Sequence, residues 1–331
     1  MMRNSSHYME EHMFSHSFDQ LEQSQRQVIG IDIGKTKIAA GIISYNGTVE
    51  DQDQQPTNMQ KGGYAILEQC YEMTRKLLAR TPFRPDAIGI GSSGIVDHET
   101  GTILRSGTIP NWENIPICSL FGEKFGLPTT VDNDVYAAAL GEYYFGVARS
   151  TPTIVYMVIS TGIGVAILEN GKIRRGSHGI AGQIAYLPLP GLDETVSDRF
   201  SGKGITRQAS QKMGFAYSPE EIFYKAIVLK DPLANAIVNE AVDGAAFCLA
   251  WLQQVLDPDL FVLSGGIAQG EEEFFRMLHQ RTDVFLKQYM PCIGDSIKIA
   301  LATLGKNSGI IGAAALAFER TEMFGLARAE V

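Results

Sequence analysis

Short apolar runs, broken by small polar turns, organise this chain. Residues 28–43 read V-I-G-I-D-I-G-K-T-K-I-A-A-G-I-I, with a tight polar turn made of Asp32, Gly34, Lys35 and Thr36. β-Branched runs on either side of so tight a turn predict two antiparallel strands joined as a hairpin. The plan returns at 153–168, T-I-V-Y-M-V-I-S-T-G-I-G-V-A-I-L, followed by the turn Asn170-Gly171. Two similar hairpins far apart in one chain predict two related halves. Between them, residues 64–80 carry Ile66, Leu67, Cys70, Met73, Leu77 and Leu78 at helical spacing. Residues 87–97 form a buried strand running into a small-residue loop, 128–131 a further strand, and 135–145 an Ala-rich helix. The second half adds a helix over 241–256, a strand over 260–263, the loop Ser264-Gly265-Gly266 and an Ala-rich helix over 309–319. Strands alternating with helices imply an α/β core. No low-complexity linker divides the halves, so a hinge between packed domains is expected rather than a tether.

The first turn has the groups an anion needs. Gly34 lets backbone N–H groups come close, Thr36 adds a hydroxyl, and Asp32 offers a hard oxygen suited to Mg²⁺. An ordinary hairpin with a polar turn has the same sequence, and only the second copy at 153–168 favours phosphate binding. A P-loop is excluded: the pattern G-x-x-x-x-G-K-[ST] requires glycine where Ile29 stands. The residues after Thr36 are also β-branched, whereas a P-loop opens a helix.

Composition narrows the class. The chain has 331 residues, 45% hydrophobic and 20% charged, which is ordinary for a globular protein with room for two cores. Its formal net charge of -9 argues against a nucleic-acid surface, because phosphate-backbone binding needs clustered Lys and Arg. Cys70, Cys118, Cys248 and Cys292 are scattered without a C-x-x-C pair, so buried, reduced thiols in a cytoplasmic protein are expected. Residues 1–27 are polar and lack the apolar centre of a signal peptide. They are expected to be a disordered extension rather than a metal-binding tail built from His7, His12 and His16. No apolar run reaches the length of a membrane span, so no membrane partner is expected. Asn46-Gly47-Thr48 matches a glycosylation acceptor, read here as a chance match.

Seven segments resemble, in order, the ROK family of sugar kinases and repressors, within the actin-like ATPase superfamily. They are G-I-D-I-G-K-T-K-I-A at 30–39, I-G-S-S-G-I-V-D at 90–97, P-N-W-E-N-I-P at 110–116 and V-D-N-D-V-Y-A-A-A-L-G-E at 131–142. They continue with S-T-G-I-G-V at 160–165, N-G-K-I-R-R-G-S-H-G-I-A-G at 170–182 and L-S-G-G-I at 263–267. The resemblance implies an α/β fold of two actin-like (ribonuclease H-like) lobes with a cleft between them. One lobe would take residues 28–135 plus about 305–325, the other 136–304. It further implies that Asp32, Gly34, Lys35 and Thr36 form a first phosphate loop for ATP, with Mg²⁺ near Asp32. Thr161, Gly162 and Gly164 would form the second, with Gly265 and Gly266 against the adenosine. Asp134 matches the family's catalytic base, although Asn133 and Asp134 are also good helix N-caps. Asn111, Asn133 and Arg105 are implied sugar contacts. A small-molecule sugar, no nucleic acid and a homo-oligomer, dimer or tetramer, are the partners this implies.

The chain departs from the family on the sugar side. After A-G the family reads E-I-G-H, where this chain has Gln183, Ile184, Ala185 and Tyr186. Gln carries no charge, and Tyr cannot act as an imidazole ligand. The family's zinc pattern C-x-C-G-x-x-G-C-x-E has no counterpart, because residues 187–201 contain no cysteine. No zinc site is therefore expected, and the Glu that closes the pattern falls at Ser197. The loop G-x-P-G becomes Gly91-Ser92-Ser93-Gly94, and Lys35 replaces a glycine; its side chain either meets phosphate or lies in solvent. Lost hydrogen bonds in a buried site cost about 1–3 kcal/mol each. Two readings follow: an ATP-dependent kinase for a hexose or amino-sugar derivative with altered specificity, or a catalytically weak sugar- or nucleotide-sensing regulator without a DNA-binding domain.

Overall fold

The computed structural model describes residues 26–293 and 297–321. The extension expected over residues 1–27, with its three histidines, falls almost wholly outside the described residues. Two compact units emerge: the first runs to Gly141 and resumes at Leu304, and the second is Glu142–Thr303.

The first unit contains β1 (Gln27–Ile33), β2 (Lys37–Ser44), β3 (Val49–Pro56), α1 (Gly63–Arg80), β4 (Ile88–Ser92), β5 (Ile95–Asp97), β6 (Thr102–Arg105), β7 (Glu113–Ile115), α2 (Ile117–Phe125), β8 (Thr129–Asn133) and α3 (Asp134–Phe145) as far as Gly141, its last four residues belonging to the second unit. Its main sheet has the order β3-β2-β1-β4-β8, and β5-β6-β7 form a small second sheet. β1 pairs antiparallel with β2, whereas β1 with β4 and β4 with β8 run parallel.

The second unit contains β9 (Thr153–Ile159), β10 (Ile163–Glu169), β11 (Lys172–Ile173), α4 (Val196–Phe200), α5 (Gly202–Met213), α6 (Pro219–Ile227), α7 (Pro232–Leu256), β12 (Leu260–Ser264), α8 (Gly266–Gly270), α9 (Glu272–Tyr289) and β13 (Ile299–Leu301). The sheet order is β11-β10-β9-β12-β13, with β9 and β10 antiparallel and β9, β12 and β13 parallel. Both units therefore repeat one pattern: a hairpin-led meander followed by two parallel strands, as an actin-like, ribonuclease H-like α/β fold requires. Helix α10 (Ser308–Arg320) belongs to the first unit.

The period of two along β1 explains how that unit is layered. Ile29, Ile31 and Ile33 are fully buried in one core with Ile66, Cys70, Met73 and Leu77 of α1. Gly30 and Asp32 lie on the opposite face, towards α10. A side chain at Gly30 would place its Cβ 2.0 Å from the Ile310 carbonyl oxygen, and one at Gly89 would place it 1.8 Å from that of Ala313. The glycines thus let the backbone of α10 rest directly on the sheet, and its run G-A-A-A-L-A supplies side chains small enough to fit.

Two expectations need correction. Cys70 and Cys248 are buried, but Cys118 is only partly covered and Cys292 is exposed; all four are free thiols. Helix α7 is long and apolar enough by composition to cross a membrane, although no bare apolar run shows it. Most of its apolar window, 61%, is buried, so it reads as a core helix: Ile237, Ala241, Ala245 and Leu249 pack into the second unit's core.

Candidate active site

In the first unit, the end of β1 and the head of α3 bring two carboxylates together. Asp32, expected in the turn, is instead the penultimate residue of β1, on the face turned to α10. Gly309, in the first turn of α10, leaves the room it occupies: a Cβ there would lie 2.2 Å from Asp32 Oδ2. Burial raises the Asp32 carboxyl from its ordinary value to about 7, and the charge of Asp134 adds to the rise, while Lys37 opposes it. Asp134 opens α3, where its Oδ1 accepts a hydrogen bond from the Val135 N–H at 3.0 Å. Burial also raises its pKa, against the lowering effect of its hydrogen bonds. Gly91 borders this point: an added Cβ would meet Ala137 Cβ at 3.4 Å and Asp134 Cα at 3.6 Å, ordinary contact distances.

Asn133 performs the cap expected of it and more. Its Oδ1 accepts from Val135 N–H at 3.0 Å, and its Nδ2 donates to the Gly94 carbonyl at 3.0 Å. The side chain therefore ties the Ser93-Gly94 loop to the head of α3. Ser93 N–H donates to Ile33 O at 3.2 Å, anchoring that loop to the end of β1. A proline at this position, as in the family's G-x-P-G, has no N–H to give. Behind the loop, buried Trp112 donates from Nε1 to Ser92 Oγ at 3.0 Å. Its neighbour Asn111 is exposed, with a left-handed φ of 53°, and packs against Gly62 and Gly63. Arg105 is exposed on β6.

Both hairpin turns are braced. In the first, Gly34 N–H donates to Lys37 O at 3.0 Å, so that amide closes the turn instead of facing an anion. Thr57 Oγ1 donates to Gly34 O at 2.7 Å, and Thr57 N–H to Thr36 O at 3.1 Å. Lys35 and Thr36 form the exposed tip. The second turn is built alike: Ser160 N–H donates to Gly162 O at 2.9 Å, leaving Thr161 and Gly162 exposed, with Gly164 half-buried on β10.

The second unit also carries Gly265 and Gly266, which differ in kind. Gly265 has φ +98° and would place a Cβ 2.4 Å from Ile159 O, so backbone geometry alone demands glycine. At Gly266 the nearest atom to an added Cβ is Ser160 Oγ, 4.0 Å away. Gln183 is half-buried at the start of the 184–186 turn, Tyr186 is 76% exposed, and His178 is exposed. Ser197, at the position of the family's closing Glu, accepts from Ile163 N–H at 3.2 Å.

Two contributors escaped the sequence reading: Gly309 and Thr57. Each acts on a residue distant in sequence, and no local pattern announces the pairing. A glycine in the first helical turn at Gly309, where alanine is the better helix former, is the one signal available.

Duplicated α/β units, each led by a hairpin with a polar turn, together with a carboxylate at a helix head, fit the actin-like class of sugar kinases. The ROK family model matches residues 28–320, and the chain belongs to the ROK family. It is 27% identical over 314 residues to the glucokinase of Halalkalibacterium halodurans, covering 87% of this chain and 94% of that protein. Among solved structures, the ROK hexokinase of Thermus thermophilus superimposes with a TM-score of 0.79 at 29% identity, covering 90% of this chain and 99% of the other. A ROK family glucokinase from Streptomyces griseus, solved with glucose and AMPPNP, gives 0.72 at 26% identity, with 88% and 99% covered.

Proposed function

We propose that this protein transfers the γ-phosphoryl group of ATP to a hydroxyl of a hexose or amino-sugar derivative, with a specificity altered from that of the glucokinases it resembles. The observation that carries the reading is the Asp134 carboxyl at the head of α3, raised in pKa by burial and set beside Asp32. A base with an elevated pKa holds an abstracted proton better than an ordinary carboxylate does. Asp134 accepts the proton of the sugar hydroxyl, whose oxygen attacks the γ-phosphorus as the bond to the ADP oxygen breaks. Phosphoryl transfer asks the protein mainly for position and charge. The turns at Lys35-Thr36 in the first unit and Thr161-Gly162 in the second offer exposed donors to phosphate oxygens. In the first unit Asn133 fixes the 93–94 loop and Asn111 and Arg105 are the side chains offered to the sugar; in the second unit they are Gln183 and Tyr186. Hard carboxylate oxygen is the right donor for Mg²⁺, which when bound offsets phosphate charge. Among the described residues no group of three His, Cys, Asp or Glu gathers, and Mg²⁺ needs only one or two carboxylates.

The family's zinc finds no fitting ligands in the corresponding segment. The altered specificity rests on Gln183 and Tyr186, which cannot reproduce a Glu–His pair towards a hydroxyl. The free thiols fit a cytoplasmic enzyme. Exposed Phe247, Trp251 and Val255 along α7 support a homo-oligomer, which sedimentation would size.

The test follows ADP release with Mg-ATP and a panel of sugars. Asp134→Asn is expected to lower kcat by about 100-fold or more with AMPPNP affinity nearly unchanged. Turnover near the native value in that variant would overturn the assignment. Sugar-dependent thermal stabilisation without ADP release would instead favour the sensing regulator.

A further inference from the structure

The segment 194–207 does something the function above leaves unassigned. Helices α4 and α5 meet at Ser201, and from this junction three hydrogen bonds reach the 160–163 turn. Ser197 Oγ accepts from Ile163 N–H at 3.2 Å, Gly202 N–H donates to Ser160 O at 2.8 Å, and Lys203 N–H donates to Thr161 O at 3.2 Å. The first N–H groups of α5, which have no partner within their own helix, are thus capped by carbonyls of the turn. Gly202 permits the approach, because a Cβ there would sit 2.8 Å from Ser160 O.

Behind the junction lies an ionic brace. Arg199 donates from Nη1 to Glu194 at 3.0 Å and from Nε to Glu240 of α7 at 2.6 Å. Arg207 pairs with Glu194 and donates to the Asp198 carbonyl at 3.0 Å. Thr195 and Asp198 close a capping box at the start of α4. The charged side chains of Glu194, Arg199 and Arg207 are only 21–36% exposed, where ion pairs are less screened than on an open surface. Every carboxylate of Glu194 and Asp198 is engaged with a protein donor, and residues 187–201 offer no thiol, so the donor set does not fit zinc.

We propose that Ser197 is a positioning residue for the 160–163 turn, and that the Glu194–Arg199–Arg207–Glu240 network holds its helix in place without metal. The consequence for nucleotide binding rests on the kinase reading, but the geometry of the turn does not. Ser197 fixes the turn's Ile163 amide, so that Thr161 and Gly162 stand ready at the tip.

Amide exchange on the full chain tests this. Ser197→Ala is expected to speed exchange in the peptide spanning Ser160–Ile163, with little change in melting temperature, and Ser197→Thr to restore protection. AMPPNP affinity should fall about fivefold in Ser197→Ala, the effect of one neutral hydrogen bond. Unchanged exchange in Ser197→Ala would overturn the positioning role. A native protein that binds no nucleotide would sink the kinase reading while leaving the exchange result to decide the role of Ser197. Metal analysis addresses the brace: the purified protein should carry no stoichiometric zinc and keep its melting temperature in EDTA. One zinc per chain, or a fall in EDTA restored by zinc, would overturn the metal-free brace.

Discussion

At the residue scale, the two carboxylates carry a cost that pH exposes. The folded pKa of Asp32 stands near 7 against 3.8 for the free side chain, so the folded state binds its proton more tightly than the unfolded state. The stability associated with protonated Asp32 is present in full below about pH 4 and is lost as pH rises through 7. Asp32→Asn should therefore stabilise the magnesium-free protein by about 4 kcal/mol at pH 8, with the advantage gone near pH 4. Urea titrations at both pH values would check it; equal stability at pH 8 would mean that burial does not strain this group. Gly266 offers a cleaner probe of nucleotide contact than Gly265. Alanine at 266 meets no protein atom closer than 4.0 Å, so Gly266→Ala should keep its melting temperature while raising KM for ATP about tenfold, the effect of an overpacked contact. Asp32 and Asp134 were legible in the sequence because each belongs to a local pattern, a hairpin and a helix head. Gly34 was read only in part: its glycine was explained by anion approach, whereas its amide is taken up closing the hairpin.

At the scale of elements, glycine decides where α10 can lie. Gly30 and Gly89 bring its backbone onto the sheet, and that closeness sets Gly309 against Asp32. Gly89→Ala must push α10 away from β4 and is expected to cost about 3 kcal/mol, measured by chemical denaturation. Gly309→Ala should cost less stability, since alanine favours the helix, but displace the Asp32 carboxyl and raise the magnesium requirement of the reaction. The hairpins and long helices were legible because period two and period 3.6 are strong signals in apolar runs. β3 was not: V-E-D-Q-D-Q-Q-P is an edge strand with alternate residues exposed, and its polar character hides its pairing. The β5-β6-β7 sheet escaped for a related reason, since strands of three or four residues at an exposed surface carry too few apolar positions to show a period.

For the whole molecule, the duplicated sheets place a similar turn in each unit, and the chain passes between the units twice. It leaves the first after Gly141 and returns at Leu304. Glu142, fully buried, joins the first and last residues of the second unit to each other. Its Oε1 accepts from Thr303 N–H at 2.8 Å, while Oε2 accepts from Val147 N–H at 3.0 Å and from Thr303 Oγ1 at 3.2 Å. These three groups all donate, so a carboxylate, which only accepts, suits them. Glutamine has the same shape but turns an NH₂ towards one of these donors. Glu142→Gln should therefore cost about 1–3 kcal/mol, and Glu142→Ala more, because it strands buried donors and opens a cavity. The discriminating measurement is the pair of variants in chemical denaturation: a Gln variant as stable as the native protein would show that shape, not charge, holds the two ends of the second unit together.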